Sequence, residues 1–366
     1  MRTTRAFGCL CAIFAAATLV GSARAVAAPP LSVAGAKLVQ VNPDGTQTPV
    51  QRRGVTGTGA LFNCIGGYGI FDGATDAAYM AAMKTWAVEI VRVPMNEDCW
   101  LGVNGVPAAM GGPAYQAAMK TYVDALVAFG FNVILELHWT AAGSQRATGQ
   151  QPMPDRDHAV PFWQGVAAAF GRNRAVVFDL FNEPFPGDNT WDSAPAWACW
   201  RDGGGNCSGL PYTAVGMQGL VTAVRAAGAE NVLMLGGISY SNSLSRWVEY
   251  MPADPLRRLA ASWHSYSTNI CNNELCWDLY VAPVLEHAPV VTGELGENDC
   301  RGEYIKPLMT WLDGRSVSYL AWLWAPWDCK TGPALITSYN GSCTDSYGCD
   351  YRDHLLSRNN SAGARP

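Results

Sequence analysis

Eight short apolar segments, most of them separated by segments of helical character, restrict this chain to a few parallel α/β folds. Unbroken apolar runs of this length are typical of strands that a parallel sheet buries on both faces. In chain order the predicted strands are Arg53–Thr56, Glu89–Pro94, Asn132–His138, Ala175–Pro184, Val232–Gly236, Ala260–Tyr266, Val290–Glu294 and Val317–Trp324.

The segments between these strands favour helices. Pro113–Gly130 starts with proline and ends with glycine, which is the order preferred at helix ends. The other predicted helices are Asp76–Ala87, Ala159–Phe170, Thr213–Ala227 and Tyr304–Asp313. Eight strands alternating with helices predict a single-domain (β/α)8 barrel. A doubly wound sheet is the alternative, but Gly54, Gly57 and Gly59 do not have the spacing of a dinucleotide-binding turn.

Both ends of the chain differ from the barrel pattern. Met1–Ala25 has two arginines, an apolar stretch and a small-x-small cleavage site, which together predict a secretory signal peptide. Its apolar stretch is shorter than the ~20 residues of a membrane-spanning helix, so we expect a secreted, extracellular protein without a membrane anchor. We assign 26–356 to the catalytic barrel, with a β-hairpin around Asn42–Gly45 at its start, and 357–366 to a disordered tail.

Cysteine usage agrees with an oxidising compartment. The chain has twelve cysteines, and removal of Cys9 and Cys11 with the signal peptide leaves an even number. Zinc binding is the alternative, but paired C-x-x-C spacings are missing. We expect disulfides within three close pairs and between two pairs of loops that follow neighbouring strands: Cys199 with Cys207, Cys271 with Cys276, Cys343 with Cys349, Cys64 with Cys99, and Cys300 with Cys329.

Charge and aromatic content narrow the class of partner. A net charge of -5 and a pI near 5.6 argue against nucleic acid as a binding partner, because a basic surface is not indicated. Fourteen tryptophans and fourteen tyrosines are present, and several tryptophans fall in predicted loops, where a flat ring suits the face of a sugar. Packing within the core is the alternative for each of them. The loop tryptophans are Trp191, Trp197, Trp200, Trp277 and Trp327.

Polar residues end several predicted strands, most clearly the run that closes with Asn182, Glu183 and Pro184. A helix-capping turn is the alternative for these three residues. A barrel, however, brings the carboxyl ends of all its strands to one face, where active sites are assembled. The candidate residues at that face are Arg92, His138, Asn182, Glu183, His264, Tyr266, Glu294 and Trp324.

Two carboxylates at one face are what cleavage of a glycosidic bond requires. One protonates the leaving oxygen, and the other supports the positive charge at the anomeric carbon. We expect burial to raise the pKa of Glu183 and so favour its acid form. Glu294 has to stay ionised, with Arg92 and Tyr266 as its donors. A separation of ~5 to 5.5 Å predicts retention of configuration, whereas ~6.5 Å or more predicts inversion.

Other side chains near these strand ends have weaker interpretations. Trp322 and Trp324 are two residues apart, and we expect Trp324 to be the sugar platform and Trp322 a core residue. Glu297 lies close enough to Glu294 in sequence to be an alternative to it, as does Asp299. Glu136 is expected to be a buried partner of Arg92, and Glu89 and Asp179 are expected to be similar charged residues in the core.

The motifs Val176–Pro184 and Thr292–Glu294 resemble glycoside hydrolase family 5, a cellulase-type family of retaining (β/α)8 glycosidases. Arg92, His138, His264, Tyr266 and Trp324 match the remaining pocket positions of this family in order and strand placement. The resemblance implies Glu183 as acid/base and Glu294 as nucleophile, with no cofactor and no metal. It also implies an extracellular polysaccharide substrate.

The leading hypothesis is therefore a secreted, monomeric, retaining endo-β-1,4-glucanase. A β-mannanase or an exo-acting glycosidase is the alternative among enzymes, because the choice depends on loops that sequence does not define. A barrel that binds carbohydrate without cleaving it is the alternative from another class.

Overall fold

The structure is a computed structural model that describes residues 26–187, 191–329 and 331–362. The described chain begins with a small antiparallel sheet of three strands: β1 (Leu31–Ala34), β2 (Lys37–Val41) and β3 (Gln47–Pro49). Strands β2 and β3 form the predicted hairpin, with Val39 opposite Pro49. Leu31 and Leu38 pack against the lower barrel interior, so this sheet closes the end of the barrel remote from the predicted site.

Eight parallel strands close into a barrel, which confirms the predicted (β/α)8 fold. Neighbours in sequence are neighbours in space around the barrel, and the last strand pairs with the first, where Leu320 lies opposite Gly54. The barrel strands are β4 (Arg53–Thr56), β5 (Ile90–Asn96), β6 (Asn132–Trp139), β7 (Val176–Asp179), β8 (Leu233–Gly236), β9 (Leu259–Tyr266), β10 (Val290–Gly296) and β11 (Ser318–Ala321).

Strand alternation divides the barrel interior into an apolar and a charged part. Ile90, Ile134 and Val177 belong to one buried apolar cluster in the lower barrel. The residues two positions further along these strands share the same face, and they are Arg92, Glu136 and Asp179. The sequence thus places a charged layer above the apolar one, toward the carboxyl ends of the strands.

The helices cover the barrel, and each predicted helix is present with ends that differ by a few residues. In the Thr213–Ala227 segment the helix starts only at Met217, because Ala214 and Val215 form β-bridges with Asp155 and Gly203. The helices are α1 (Asn63–Gly66), α2 (Ala77–Lys84), α3 (Glu97–Leu101), α4 (Pro113–Ala128), α5 (Ala159–Phe170), α6 (Ala194–Asp202), α7 (Met217–Ala226), α8 (Glu274–Tyr280), α9 (Ile305–Gly314) and α10 (Tyr347–Ala362). Within the described ranges, none of these helices is long and apolar enough to cross a membrane.

The segment that follows the last barrel strand contains secondary structure that was not predicted from the sequence. A two-stranded hairpin, β12 (Ile336–Ser338) and β13 (Ser342–Cys343), precedes helix α10. The tail was predicted to be disordered from 357, but α10 continues through Ala362. Leu355 is buried, and Asp313 of α9 pairs with His354 and Arg358 at 2.8 Å each. The predicted signal peptide and 363–366 lie outside the described residues.

All five predicted disulfides are present. They join Cys64 to Cys99, Cys199 to Cys207, Cys271 to Cys276, Cys300 to Cys329, and Cys343 to Cys349. The first of them ties the loop after β4 to helix α3, which follows β5. The fourth ties the loop after β10 to the segment after β11. Both links therefore brace loops at the carboxyl ends of the barrel strands.

We predict that Asp313→Asn destabilises the fold in a pH-dependent way. Burial raises the pKa of Asp313, but His354 and Arg53 outweigh it and lower the pKa from 3.8 to about 2. A lowered pKa stabilises the fold above the unfolded-state value, and this contribution is lost as the pH falls through about 2. The variant should lose roughly 2 kcal/mol of unfolding free energy at neutral pH.

Urea denaturation measured at neutral pH and at steps below pH 4 checks this prediction. The difference between wild type and Asp313→Asn should shrink across that window. Asp353→Asn is the matched control, because Asp353 is mostly exposed and pairs with the neighbouring Arg352 on the surface of helix α10. A difference that stays constant from neutral to acidic pH would show that the Asp313 charge does not stabilise the fold.

Candidate active site

Arg92 is the centre of the charged layer. It is completely buried, and Nη1 lies 2.6 Å from Glu294 Oε1 while Nη2 donates to Asn182 Oδ1 at 2.7 Å. Glu136 and Asp179 lie 3.5 and 3.3 Å away, so Glu136 is the buried partner of Arg92 that was predicted, and the predicted core charge Asp179 is a second one. Burial opposes the charge, but these carboxylates raise the pKa of Arg92 above its ordinary value. The guanidinium therefore stays charged.

Glu294 lies in the last part of β10 and has a donor for each carboxylate oxygen. Arg92 donates to Oε1, and the Tyr266 hydroxyl donates to Oε2 at 2.6 Å. Both donors are those that the sequence predicted. The register between β9 and β10 shifts between Thr292 and Glu294, and a local irregularity of this kind redirects a side chain.

Glu183 follows β7 and is held through both of its oxygens. His264 Nδ1 lies 2.9 Å from Oε1, and Gln150 Nε2 donates to Oε2 at 3.0 Å. Burial raises the pKa of Glu183, but these two contacts outweigh it and the pKa lies below its ordinary value. The prediction of a raised pKa was therefore wrong, because it counted the burial and not the donors.

The two glutamates meet across His264. One carboxylate oxygen of each lies within 4.8 Å of the other, and His264 Nδ1 is 3.7 Å from Glu294 Oε2. The barrel thus brings the two carboxylates close together. Asn182 accepts a hydrogen bond from Arg92, and Glu183 contacts His264 and Gln150. These contacts argue against the alternative interpretation of a helix-capping turn.

His138 extends the network on the side of Asn182. Its Nδ1 lies 3.0 Å from Glu136, and its Nε2 lies 3.4 Å from Asn182 Nδ2. Burial lowers the pKa of His138, but the charge and hydrogen bond of Glu136 together with the charge of Glu294 outweigh burial, and the net pKa is raised. The Glu136 carboxylate thus orients the His138 ring, whose Nε2 faces Asn182.

The tryptophans after β11 are arranged in the opposite way to the prediction. Trp324 is completely buried and packs edge-on against Trp86, with ring centroids 4.6 Å apart. Trp322 is half-buried and stacks on His138 at 5.8 Å. Strand β11 ends at Ala321, so its two-residue alternation does not continue through these positions. Trp322 is therefore the ring that faces the site.

The loop tryptophans divide between core and surface. Trp197, Trp200 and Trp277 are buried, so packing is the correct interpretation for them. Trp191 is half-buried. Trp327 is 38% exposed and lines a cavity with Trp322 and Phe62. The rings of Trp322 and Trp327 therefore form a first aromatic wall along this cavity.

A second aromatic wall, which the sequence did not predict, lies beside Glu183. Phe185 and Tyr240 stack with centroids 4.6 Å apart, and Tyr240 is 40% exposed. The Tyr240 amide donates to the Pro184 carbonyl at 3.1 Å. Ser239, Tyr240 and Ser241 all have a positive φ, a backbone conformation that is costly for non-glycine residues and often occurs at functional sites.

The remaining carboxylates do not compete with Glu294. Glu297 accepts hydrogen bonds from the amides of Glu303, Tyr304 and Ile305 and so fixes the start of α9. Asp299 is exposed and lies 3.6 Å from Arg301. Glu89, which was predicted to be a core charge, is partly exposed and pairs with Arg52 at 3.1 Å.

Potential metal ligands occur in the site and in one other place. Glu183, His264 and Glu294 are close enough to share an ion, but Arg92 and Tyr266 already donate to Glu294. Two further groups share His158, one with Glu97 and Asp98 and the other with Asp155 and Asp157, and His158 Nδ1 lies 2.9 Å from the Ala141 carbonyl. The expectation of no metal and no cofactor stays a prediction.

The fold resembles those of solved glycanases. A beta-glucanase from Saccharophagus degradans superposes with a TM-score of 0.67 at 19% identity, covering 92% of this chain and 95% of that one. A hyperthermophilic endocellulase from the archaeon Pyrococcus horikoshii gives a TM-score of 0.67 at 17% identity, covering 90% and 99%. At these identities the similarity shows the fold alone.

Two curated relatives are similar over part of the sequence. A manganese-dependent endoglucanase of Phanerodontia chrysosporium is 30% identical over 141 residues, which are 37% of this chain and 31% of the relative. Endoglucanase Z of Dickeya dadantii is 24% identical over 187 residues, or 50% of this chain and 34% of the relative. The chain thus matches about a third of the length of either relative.

A family model described as cellulase (glycosyl hydrolase family 5) matches residues 43–328. The matched range starts in the amino-terminal sheet and extends past β11, and it contains both glutamates and the donors around them. The chain belongs to the cellulase family, glycosyl hydrolase family 5.

Proposed function

We propose that this protein is a retaining endo-β-1,4-glucanase in which Glu183 is the acid/base and Glu294 the nucleophile. The observation that carries the proposal is that one carboxylate oxygen of Glu183 lies within 4.8 Å of one carboxylate oxygen of Glu294. Retaining glycosidases place their carboxyl groups ~5 to 5.5 Å apart, whereas inverting ones leave ~6.5 Å or more for a water molecule.

The first step forms a covalent intermediate. Glu294 Oε2 or Oε1 attacks the anomeric carbon while Glu183 gives its proton to the glycosidic oxygen, and the bond to the leaving sugar breaks. Arg92 and Tyr266 hold Glu294 in place by donating to both of its carboxylate oxygens before attack. In the second step Glu183 accepts a proton from a water molecule whose oxygen attacks the same carbon. The bond from that carbon to Glu294 breaks, and the sugar is released with its original configuration.

Glu183 needs a proton at the start of this cycle although its pKa is lowered in the free enzyme. A bound sugar excludes water from the carboxylate, and desolvation disfavours the charged form. His264 Nδ1, at 2.9 Å, is the group with which Glu183 can share a proton. Substrate binding therefore converts Glu183 from a carboxylate into the acid that the first step uses.

The choice of β-glucan rests on the relatives and on the aromatic walls. The relatives in sequence are endoglucanases, and the structural neighbours include cellulases and a beta-glucanase. Trp322 and Tyr240 provide flat surfaces, and Tyr240 lies beside the acid, where the leaving sugar has to be. A β-mannanase or an exo-acting enzyme is the alternative, and product sizes from a panel of purified β-glycans distinguish them.

The same proposal includes the location of the enzyme. Five disulfides favour an oxidising compartment, and the composition of Met1–Ala25 is that of a secretory signal. We propose an exported, monomeric enzyme whose partner is the polysaccharide and which uses no cofactor. Signal cleavage and the mass of the native protein in the culture medium test this part.

Alanine variants of the two glutamates should separate their roles. With cellohexaose, Glu183→Ala and Glu294→Ala should both lose at least ~10²-fold in kcat. With dinitrophenyl β-cellobioside, whose leaving group needs no proton, Glu183→Ala should still release dinitrophenol rapidly in a first turnover. Glu294→Ala should not, because it lacks the attacking oxygen. Stopped-flow absorbance measures the release.

Asp299→Asn is the matched control for this pair, since Asp299 is an exposed carboxylate close to Glu294 in sequence. It should keep wild-type rates with both substrates. Equal loss of the first turnover in Glu183→Ala and Glu294→Ala would contradict the division of roles. Wild-type rates in both would exclude a hydrolase site at this position.

Alanine substitution of the two tryptophans after β11 should have different consequences. Trp324→Ala removes a buried ring and should cost about 3 to 5 kcal/mol of unfolding free energy. Trp322→Ala removes a half-buried ring and should leave the fold nearly intact, but raise KM or lower kcat for cellohexaose. Denaturant unfolding and steady-state kinetics check both. The reverse pattern would restore Trp324 as the sugar platform.

A further inference from the structure

We propose that Gln150 is a positioning residue that orients the carboxyl group of Glu183 through the oxygen that His264 leaves free. Its Nε2 donates to Glu183 Oε2 at 3.0 Å, whereas His264 contacts Oε1. The inference rests on the proposed role of Glu183 as acid/base. Gln150 is not at a strand end, so the barrel pattern alone does not single it out.

The loop that carries Gln150, residues 140–158, is fixed on both sides of it. Before Gln150, the Ala147 carbonyl accepts from Asn96 Nδ2 and the Ala147 amide donates to Asp98, at 2.8 Å each. After Gln150, the Pro152 carbonyl accepts from the Phe185 amide at 2.9 Å. The last contact ties the loop directly to the segment that follows Glu183.

Buried carboxyl groups anchor the two ends of this loop. Glu97 accepts from the Ala141 amide at 2.5 Å, and Asp155 accepts from the His158 amide at 2.8 Å. Their other oxygens, Glu97 Oε2 and Asp155 Oδ2, are buried without a donor among the described residues. Burial and the neighbouring Asp155 raise the pKa of Glu97 well above its ordinary value.

The position of Gln150 gives it an effect on Glu183 that differs from a packing effect. The titratable groups that face Glu183 are His264 at 2.9 Å, Glu294 within 4.8 Å, and His138 and Tyr266 at longer range. Gln150 also contacts Glu183, but it is a neutral donor that does not titrate. A donor to a carboxylate favours its charged form, so removing Gln150 should shift the Glu183 titration to higher pH.

Gln150→Leu and Gln150→Glu test the inference as a graded pair. Leucine removes the donor, and glutamate replaces it with a like charge, which disfavours ionisation of Glu183 further. The Glu183 titration midpoint should rise by about one pH unit in Gln150→Leu and by more in Gln150→Glu. The measurement is a ¹³C NMR titration of glutamate-labelled protein, in which loss of a signal in Glu183→Gln identifies the resonance.

The alkaline limb of kcat/KM for cellohexaose should move in the same direction and order. Gln151→Leu is the matched control, since Gln151 lines a separate surface cavity with Arg156, and it should leave the midpoint unchanged. An unchanged Glu183 midpoint in both Gln150 variants overturns the inference. A shifted midpoint in a protein that cleaves no β-glycan supports the positioning role of Gln150 and contradicts the proposed function instead.

Discussion

The buried guanidinium of Arg92 is the interaction on which the rest of the site depends. A charge removed from water is costly unless its hydrogen bonds and its counter-charge are supplied, and removing one partner of such a group typically costs 3 to 5 kcal/mol. Arg92 on β5 is satisfied by groups on or after β6, β7 and β10. A single side chain thereby fixes the relative positions of four barrel strands at their carboxyl ends.

This arrangement explains why three carboxylates can lie in the barrel interior. Glu136, Asp179 and Glu294 would repel one another without the central cation. Glu136 in turn orients His138, and the amide of Asn182 connects Arg92 to the same ring. The charged layer is therefore both the support of the upper barrel and the base of the site. The apolar layer below it supplies the hydrophobic burial that stabilises the barrel.

Much of this architecture is predictable from sequence because it depends on local patterns. The eight apolar segments define the strands, and a closed barrel brings Arg92, His264, Tyr266 and Glu294 together without knowledge of the loops. The disulfides were predictable from short spacing or from the order of the loops. The placement of Trp322 and Trp324 was not, since a strand's alternation predicts side-chain direction only as far as the strand continues.

Two further differences from the prediction concern contacts made by loops. The pKa of Glu183 is lowered by His264 and, to a smaller extent, by Gln150, which reaches the site through a loop held by Ala147 and Pro152. Tyr240 lies in a left-handed turn whose sequence, serine on both sides, carries no glycine to mark it. Contacts between residues far apart in the chain set both features, and a single sequence does not contain them.

Covalent labelling of the nucleophile tests the central claim most directly. Dinitrophenyl 2-deoxy-2-fluoro-β-cellobioside slows both steps of a retaining glycosidase but keeps the first one feasible, because its leaving group departs without a proton. We predict a stable adduct of one fluorocellobiosyl group, located by peptide mass spectrometry on Glu294 within Val290–Gly296. A label on any other residue, or an enzyme that hydrolyses β-glucan and forms no adduct, would contradict it.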